Sequence, residues 1–249
     1  MRIGVIIFCL VLVCACRDHR TKLSAQEIVD KSIEVSGGDR YVKNEISFDF
    51  RTAKYTATPL GNQKILKRRM LTDTTEILDV KSPDKFQRFV NDSLVVLSDS
   101  VARVYANAVN SVHYFAYLPF GLNDRAVQKR HLGMVTIGAY DYYKIEVTFN
   151  EIGGGDDFDD TYIYWFNAET FKPDYLAYEF HVDGGGQRFR AAFNESAVGG
   201  IRFVDYKNYK NTNLEIPIYG IDSLYLNDNL ELLSKIKLEN IKVTPDSYN

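Results

Sequence analysis

The fold is decided by alternating stretches such as ISFDFR at residues 46–51, in which Ile46, Phe48 and Phe50 alternate with polar residues. A period of two places neighbouring side chains on opposite faces of a sheet, so this stretch predicts a half-buried strand. The alternation continues through 63–72, 75–81 and 85–97. Short strands recurring about every ten residues predict an antiparallel meander, as in sandwiches and barrels.

A helix is predicted just before the meander. Ser24 and Glu27 have the spacing of a capping box, in which the serine oxygen and the glutamate side chain each bond a first-turn amide. Gly37-Gly38 then offers a residue free to adopt positive φ at the helix end. The pattern predicts an amphipathic helix over 24–37.

A second helical element interrupts the strands. Residues 100–112 are rich in Ala, Val and Asn without Gly or Pro, and the apolar aromatic run HYFAYLPFGL follows at 113–122. Asn123 or Asp124 is placed to cap a short helix through Lys129. We expect residues 100–129 to pack, together with helix 24–37, on the concave side of a curved sheet.

Strands resume after this insertion. Residues 160–167 are apolar on both faces, which indicates a central buried strand. A four-residue turn at 183–186 would place Phe180 opposite Phe189. On the other face it would place His181 opposite Arg188 and Glu179 opposite Arg190, so that opposite charges lie across the two strands. The predicted polar cluster contains Glu179, His181, Arg188 and Arg190. Further strands are predicted at 201–210, before an Asn227-Asp228-Asn229 turn, and at 232–243.

The first residues have the pattern of an export signal. Arg2 precedes an apolar run from Ile3 to Val13, which is too short to span a bilayer but fits the core of a signal peptide. The run ends in Val13-Cys14-Ala15-Cys16, which is typical of a bacterial lipoprotein box. We predict a lipoprotein signal peptide over 1–15 and acylation of Cys16. An ordinary secretory peptide cut nearby is the alternative.

The predicted domain organisation follows from this signal. Residues 16–23 form the acylated cysteine and a polar tether, and residues 24–249 form a single β-domain. All 3 cysteines lie within residues 1–16, so the domain over 24–249 is predicted to contain no disulfide and no cysteine-ligated metal.

Composition limits the classes of function. Hydrophobic residues make up 45% of the 249 residues and charged residues 25%, as in an ordinary globular protein. The net charge is −3 and the pI about 5.9, which argues against a nucleic-acid partner held by a basic surface.

Few residues point to catalysis. The turn over 151–160 is acidic and glycine-rich, and its carboxylates Asp156, Asp157, Asp159 and Asp160 are weak candidates for a Ca²⁺ site without EF-hand spacing. A solvated loop is the alternative. No histidine pair has metal-ligand spacing, and the motifs of a nucleophile elbow, a phosphate loop and a dinucleotide turn are absent from the sequence. The sequence therefore implies no cofactor and does not indicate an enzyme.

The aromatic run at 113–122 is the most informative feature for function. It either fills the core or lines an apolar cavity, since ligand pockets are mostly apolar with few polar groups. The predicted cavity residues are Phe48, Phe50, Tyr114, Phe115, Tyr117, Leu118, Phe120, Tyr143, Ile145, Phe180 and Phe189.

The order of these elements, a lipoprotein box, one helix, a meander, an apolar helical insertion and more strands, resembles the LolA/LolB-like superfamily of cell-envelope proteins. The runs at 113–124, 153–165, 174–178 and 188–190 also resemble an uncharacterised family of Bacteroidota envelope lipoproteins. The resemblance implies a mainly β (α+β) fold, a curved antiparallel half-barrel with an N-terminal helix and an inserted helical plug or lid. Several members of the superfamily bind acyl chains of lipoproteins or other lipids, so the resemblance also implies a lipid-binding function.

Three functions are compatible with the sequence. The first is a lipoprotein anchored through Cys16, at the periplasmic face of the outer membrane, that binds a lipid, an acyl chain or another apolar molecule. The second is a non-enzymatic assembly subunit at the outer membrane with an envelope protein partner. The third is a metal-dependent hydrolase that uses the acidic turn and His181.

Overall fold

A computed structural model of the protein describes residues 23–156 and 158–245. The predicted signal peptide, Cys16 and the rest of the tether up to residue 22 lie outside the described residues, as does Asp157. The predictions made for them are therefore not tested by the structure.

The first sheet, sheet A, is an antiparallel meander closed at one edge by the last strand of the chain. Its strand order is β14-β1-β2-β3-β4-β5-β6. The strands are β1 (Asn44–Phe50), β2 (Ala53–Leu60), β3 (Gln63–Leu71), β4 (Glu76–Lys81), β5 (Phe86–Val90), β6 (Ser93–Val95) and β14 (Glu239–Pro245).

The second sheet, sheet B, is also antiparallel and follows the chain, with the order β13-β12-β11-β10-β9-β8-β7. Its strands are β7 (Val127–Ile137), β8 (Tyr140–Phe149), β9 (Thr161–Asn167), β10 (Pro173–Phe180), β11 (Gly186–Val198), β12 (Ile201–Lys210) and β13 (Glu231–Ile236). The predicted last strand over 232–243 is therefore two strands, since β13 ends sheet B and β14 edges sheet A.

In the part of the chain that the structure describes, four α-helices accompany the sheets, namely α1 (Ala25–Ser36), α2 (Arg40–Lys43), α3 (Asp99–Ala116) and α4 (Ile221–Leu226). The fold class predicted from the sequence is confirmed: the protein is mainly β, with an open curved antiparallel sheet, an N-terminal helix and an inserted helix. The alternation at residues 46–51 is part of β1, where Ile46 and Phe48 are fully buried.

Helix α1 forms as predicted. Ser24 is its N-cap, and the capping box with Glu27 is present. Its apolar stripe, with Ile28 and Val29 fully buried, packs on sheet B against a cluster that includes Ile145 and Tyr164. At the helix end, Gly37 has φ of 139°, and a Cβ there would lie 3.2 Å from the carbonyl oxygen of Gly200. Glycine is required for this close approach.

Helix α3 extends beyond the predicted end at residue 112 to Ala116, so it contains the first part of the aromatic run. A 3₁₀ turn at Phe120–Asn123 follows it, and β7 begins at Val127. The predicted short helix from Asn123 or Asp124 through Lys129 is wrong. Residues 124–126 form the connection before β7, and Val127–Lys129 pair with β8, where Val127 lies opposite Phe149. Sheet pairing therefore outweighs the local cap signal.

The hairpin of β10 and β11 has a different register from the predicted one. Glu179 lies opposite Gln187 rather than Arg190, a shift of three residues. The connection is longer than a four-residue turn, because Val182–Gly184 forms a 3₁₀ turn and Gly185 follows it. An odd shift exchanges the two faces of a strand.

The register shift moves the predicted polar residues. Glu179 does not face Arg190, His181 does not face Arg188, and Phe180 lies opposite Gly186 rather than Phe189. These predicted pairs are wrong. Arg188 and Arg190 share the strand face of Tyr178, which they were expected to oppose.

The outer face of sheet B is covered by the segment over 211–230. A strand was predicted before the Asn227-Asp228-Asn229 turn, but α4 lies there and buries Ile221 against Trp165 and Phe189. The carboxylate of Asp222 accepts hydrogen bonds from Lys144 at 2.6 Å and from the Trp165 indole at 3.2 Å. Sheet B is therefore packed on both faces.

Candidate functional site

Helix α3 is fastened to sheet A. The guanidinium of Arg88 lies 3.4 Å from the ring centroid of Tyr105 on α3. Arg88 is itself held by the fully buried carboxylate of Asp79, which also accepts bonds from Arg68. The imidazole of His113 lies 3.2 Å from the backbone oxygen of Lys67.

The imidazole of His113 is a neutral part of this attachment. Burial lowers its pKa to about 4, and the charges of Lys64 and Lys81 act in the same direction. Its other nitrogen lies 3.0 Å from the hydroxyl of Tyr117, and Phe48 meets the ring edge-on.

Towards sheet B, α3 presents aromatic rings. Phe115 lies 5.9 Å from Tyr178, and Tyr114 lies 6.4 Å from Phe149, measured between ring centroids. Only Val109 and His113 of the helix are buried, so much of its apolar surface borders open space. Cavities lie along both sides of this helix.

The first, here named the Arg190 cavity, lies between α3 and strands β10–β13 and has a volume of about 370 Å³. This size is within the range of about 300–1,000 Å³ that is typical of ligand pockets. Half of its lining is apolar. The cavity is lined by Phe50, Arg51, Ser111, Val112, Phe115, Ala116, Tyr178, Arg190, Val204, Tyr206, Asn208, Ser234, Ile236 and Leu238.

Arg190 is the unusual residue of this cavity. It is 8% exposed. Among the described residues the buried cations are Lys144, Arg190 and Arg202; Lys144 pairs with Asp222, and Arg202 with acidic partners. Arg190 has no ion pair with any carboxylate in the described chain, and its Nε has no hydrogen-bond partner there.

Aromatic rings contact the Arg190 guanidinium. Its central carbon lies 4.1 Å from the ring centroid of Phe115 and 5.2 Å from that of Tyr178, whose hydroxyl accepts a hydrogen bond of 3.2 Å. A desolvated cation–π contact stabilises by about 2 kcal/mol, whereas burial of an ion costs several kcal/mol. The rings offset only part of this cost.

The second, the acidic-turn cavity, has a volume of about 390 Å³ and shares Ser111 and Phe115 with the first. Residues 153–156 of the acidic turn are among its lining residues. Asp156 accepts a hydrogen bond of 2.7 Å from Asn107 and lies 4.0 Å from Arg103, so the turn holds the exposed side of α3.

The third, the His113 cavity, lies between α3 and sheet A and has a volume of about 220 Å³. Tyr41, Leu66, Tyr117 and Phe120 are among its lining residues, and the rings of Tyr41 and Phe120 stack at 5.0 Å.

The structure brings most of the predicted cavity residues to α3. Phe50 and Phe115 line the Arg190 cavity, Tyr114 and Phe115 the acidic-turn cavity, and Tyr114, Tyr117 and Phe120 the His113 cavity. Phe48, Leu118 and Ile145 are buried in the surrounding core.

Three predicted cavity residues lie elsewhere. Phe189 lies in the core on the outer face of sheet B, stacked on Tyr225 at 4.5 Å. Phe180 lies at the end of β10, where the guanidinium of Arg188 covers its ring at 4.9 Å. Tyr143 lines a separate cavity of about 460 Å³ beside Leu23 and His131.

The predicted polar cluster is not assembled. Glu179 accepts a hydrogen bond of 2.6 Å from Gln187, and His181 is exposed. Within the residues that the structure describes, no three His, Cys, Asp or Glu side chains are grouped so as to hold a metal ion. Of the acidic-turn carboxylates, Asp160 is buried, Asp159 is exposed and Asp156 contacts α3.

Sequence reasoning missed much of the Arg190 cavity. Val204, Tyr206 and Asn208 alternate along β12, a signal that was present in the sequence. Arg190 was placed in a different cluster because the hairpin register was wrong.

A family model described as "Family of unknown function (DUF6503)" matches residues 1–240. None of the curated proteins matches the chain. Among solved structures, the chain is similar to a DUF1329 family protein from Desulfovibrio piger, with a TM-score of 0.49, 10% identity, and coverage of 92% of this chain and 95% of that chain.

Two further solved structures are similar. One is a LolA superfamily protein from Nitrosomonas europaea, with a TM-score of 0.41, 14% identity, and coverage of 89% of this chain and 94% of that one. The other is the Mycobacterium tuberculosis lipoprotein LppX, with a TM-score of 0.29, 11% identity, and coverage of 65% and 91%. These sequence identities and TM-scores are too low to assign the function of any of these proteins to this chain. No described helix is long and apolar enough to cross a membrane.

Proposed function

Because the chain belongs to the DUF6503 family, whose function is unknown, we propose a function from its own residues. The protein is a membrane-anchored envelope lipoprotein that binds a lipid, an acyl chain or another apolar ligand in the cavities around α3. The observation that carries this proposal is the pair of cavities, of about 370 and 390 Å³, that meet at Ser111 and Phe115.

The packing of α3 supports binding rather than a filled core. Protein interiors are close-packed, with few voids larger than a water molecule. Here two open cavities border the side of α3 that faces sheet B, on either side of its ring contacts with Tyr178 and Phe149. The opposite side of the helix is held against sheet A through Tyr105 and His113. An apolar ligand between α3 and sheet B would bury the rings that now border these spaces.

The anchor is proposed from the first residues. The run ending in Val13-Cys14-Ala15-Cys16 supports acylation of Cys16. Several acyl chains on one residue anchor a protein stably, whereas a single chain binds reversibly. Residues 17–23 would tether the domain close to the membrane surface, on the periplasmic face of the outer membrane.

Binding is tested with a neutral apolar dye, Nile red, on delipidated protein whose Cys16 is replaced. Ser111 is exposed on α3 and borders both cavities, so Ser111→Trp places a large ring at their junction. We expect dye affinity to fall about tenfold or more, with the far-ultraviolet circular dichroism unchanged.

Ser100→Trp is the matched control, because Ser100 is exposed on the same helix and is not among the lining residues of either cavity. It should bind the dye as the parent protein does. If the parent protein does not bind Nile red, or if both tryptophan variants weaken binding equally, the cavities are not the ligand site. That result would favour the second function, a non-enzymatic assembly subunit.

A further inference from the structure

We propose that the ligand is an anionic amphiphile, an apolar chain with a single negatively charged head group, and that the head group pairs with Arg190 in the Arg190 cavity. This inference rests on the proposed function, because it names the chemical class of ligand that the same cavity accepts. It goes further in assigning a charge to the ligand and a residue that recognises that charge.

The first observation is the unpaired buried charge. Arg190 is 8% exposed, and no carboxylate of the described residues lies within ion-pair distance. Lys144 and Arg202, the other buried cations in the described part of the chain, each have an acidic partner in the protein. A buried cation needs an anion or strong hydrogen-bond acceptors to offset its desolvation. Arg190 has one acceptor, the hydroxyl of Tyr178.

The second observation is the charge of the cavity lining. Arg51 and Arg190 both belong to it, and none of its lining residues is acidic. Arg51 is exposed and Arg190 is buried, so positive charge occurs at both depths. The electrostatic potential in the cavity therefore favours a negative group, and low-polarity walls strengthen the attraction.

The third observation is the polarity around Arg190. Asn208 lines the same cavity, and its Oδ1 is buried without a hydrogen-bond partner, as is Nε of Arg190. Val204, Ile236 and Leu238 supply apolar wall in the same cavity. Polar groups beside an apolar wall orient a ligand that has one charged end.

The pairing itself is chemically ordinary. A guanidinium has five donors in a planar fork and is always charged, so it binds carboxylates and phosphates with parallel hydrogen bonds. In this structure Nη2 donates to Tyr178, and Nε has no partner. The face of the guanidinium remains covered by Phe115, while its edge is the part that an oxyanion contacts.

The test compares three ligands of equal chain length: hexadecanoate, hexadecyl phosphate and hexadecanol. Their affinities are measured by displacement of Nile red from delipidated protein. Arg190→Met replaces the charge with an apolar chain, and Arg188→Met is the matched control, because Arg188 is two residues away on the same strand face and does not line the cavity. Arg190→Lys keeps the charge without the fork.

We expect Arg190→Met to weaken binding of the anionic ligand about 10- to 100-fold, the value of one charge-assisted hydrogen bond. Binding of hexadecanol and Nile red should change less than about twofold, which also shows that the variant folds. Arg190→Lys should retain part of the preference, and Arg188→Met all of it. Preference for hexadecanoate indicates a fatty acid, and preference for hexadecyl phosphate indicates a phospholipid head group.

Equal loss, or no loss, for hexadecanol and both anions in Arg190→Met would overturn the inference and leave the apolar cavity in place. Arg190 would then be a structural cation held by Phe115 and Tyr178. Absence of binding for all three ligands and for Nile red in the parent protein would instead overturn the proposed function.

Discussion

The attachment of α3 to sheet A depends on one buried carboxylate. Asp79 is fully buried and accepts hydrogen bonds of 3.0 and 2.7 Å from Arg68 and of 2.7 and 2.9 Å from Arg88. Arg88 in turn lies against Tyr105 of α3 at 3.4 Å. We therefore expect Asp79→Asn to destabilise both sheet A and the contact of α3 with this sheet.

The size of the effect follows from burial. Removing one partner of a buried ion pair costs about 3–5 kcal/mol, because the remaining charge stays buried without compensation. Here two guanidinium groups lose their anion, and their side chains are 13% and 11% exposed. A loss of that size is about a fifth or more of the stability of a typical domain, and it lowers Tm by about 6–20 °C.

The assay is urea unfolding of the domain, followed by circular dichroism. Asp84→Asn, an exposed aspartate in the turn after β4, is the control and should change the free energy of unfolding by less than about 0.5 kcal/mol. A loss below about 1 kcal/mol for Asp79→Asn would refute the reasoning. In that event solvent, rather than Asp79, would balance the two arginines.

Two further predictions concern α3. The pKa of His113 is lowered by burial from 6.5 to about 4, so the unfolded state binds more protons between these values. The free energy of unfolding therefore decreases by about 3 kcal/mol as the pH falls from 6.5 to 4, because the unfolded state gains a proton that neutral His113 excludes from the folded state. Chemical unfolding at several pH values should show a smaller decrease for His113→Gln. Asp156→Ala removes an exposed contact, so stability should fall by at most about 1 kcal/mol, but stopped-flow release of Nile red should be about two- to fivefold faster. Asp159→Ala on the same turn is the control, and equal release rates for the two variants would contradict a role for the acidic turn in closing the cavity.

Local patterns predicted the elements that depend on local chemistry. The capping box at Ser24 set the start of α1, and the alternation of Ile46, Phe48 and Phe50 set the faces of β1. The strand over 160–167 was identified because its side chains are apolar on both faces, and the covering segment that buries its outer face was not visible locally.

The arginine of the candidate site was misplaced because its position depends on register. Asp183-Gly184-Gly185-Gly186 fits several turn lengths, and an odd change in turn length exchanges the faces of β11. Arg190 was therefore predicted to pair with Glu179, whereas in the structure it lines the cavity beside Phe115. Whether a charged side chain has an ion-pair partner depends on how the strands are paired in the sheet. The alternation of residues along one strand does not predict that pairing.

The covering of sheet B was missed for a similar reason. A strand was predicted before the Asn227-Asp228-Asn229 turn, but helix α4 lies there and packs Ile221 and Tyr225 on the outer face of the sheet. The ion pair of Lys144 with Asp222 joins positions 78 residues apart. Such contacts become visible only when the tertiary structure is known.

The central claim, that the space around α3 holds an apolar ligand, is tested most directly by native mass spectrometry of the domain with Cys16 replaced, purified without delipidation from a host that contains lipids. The account predicts a population with an additional mass in the lipid range, reduced in Ser111→Trp and retained in Ser100→Trp. A bare protein mass for all three proteins, with no lipid in an organic extract, would contradict it.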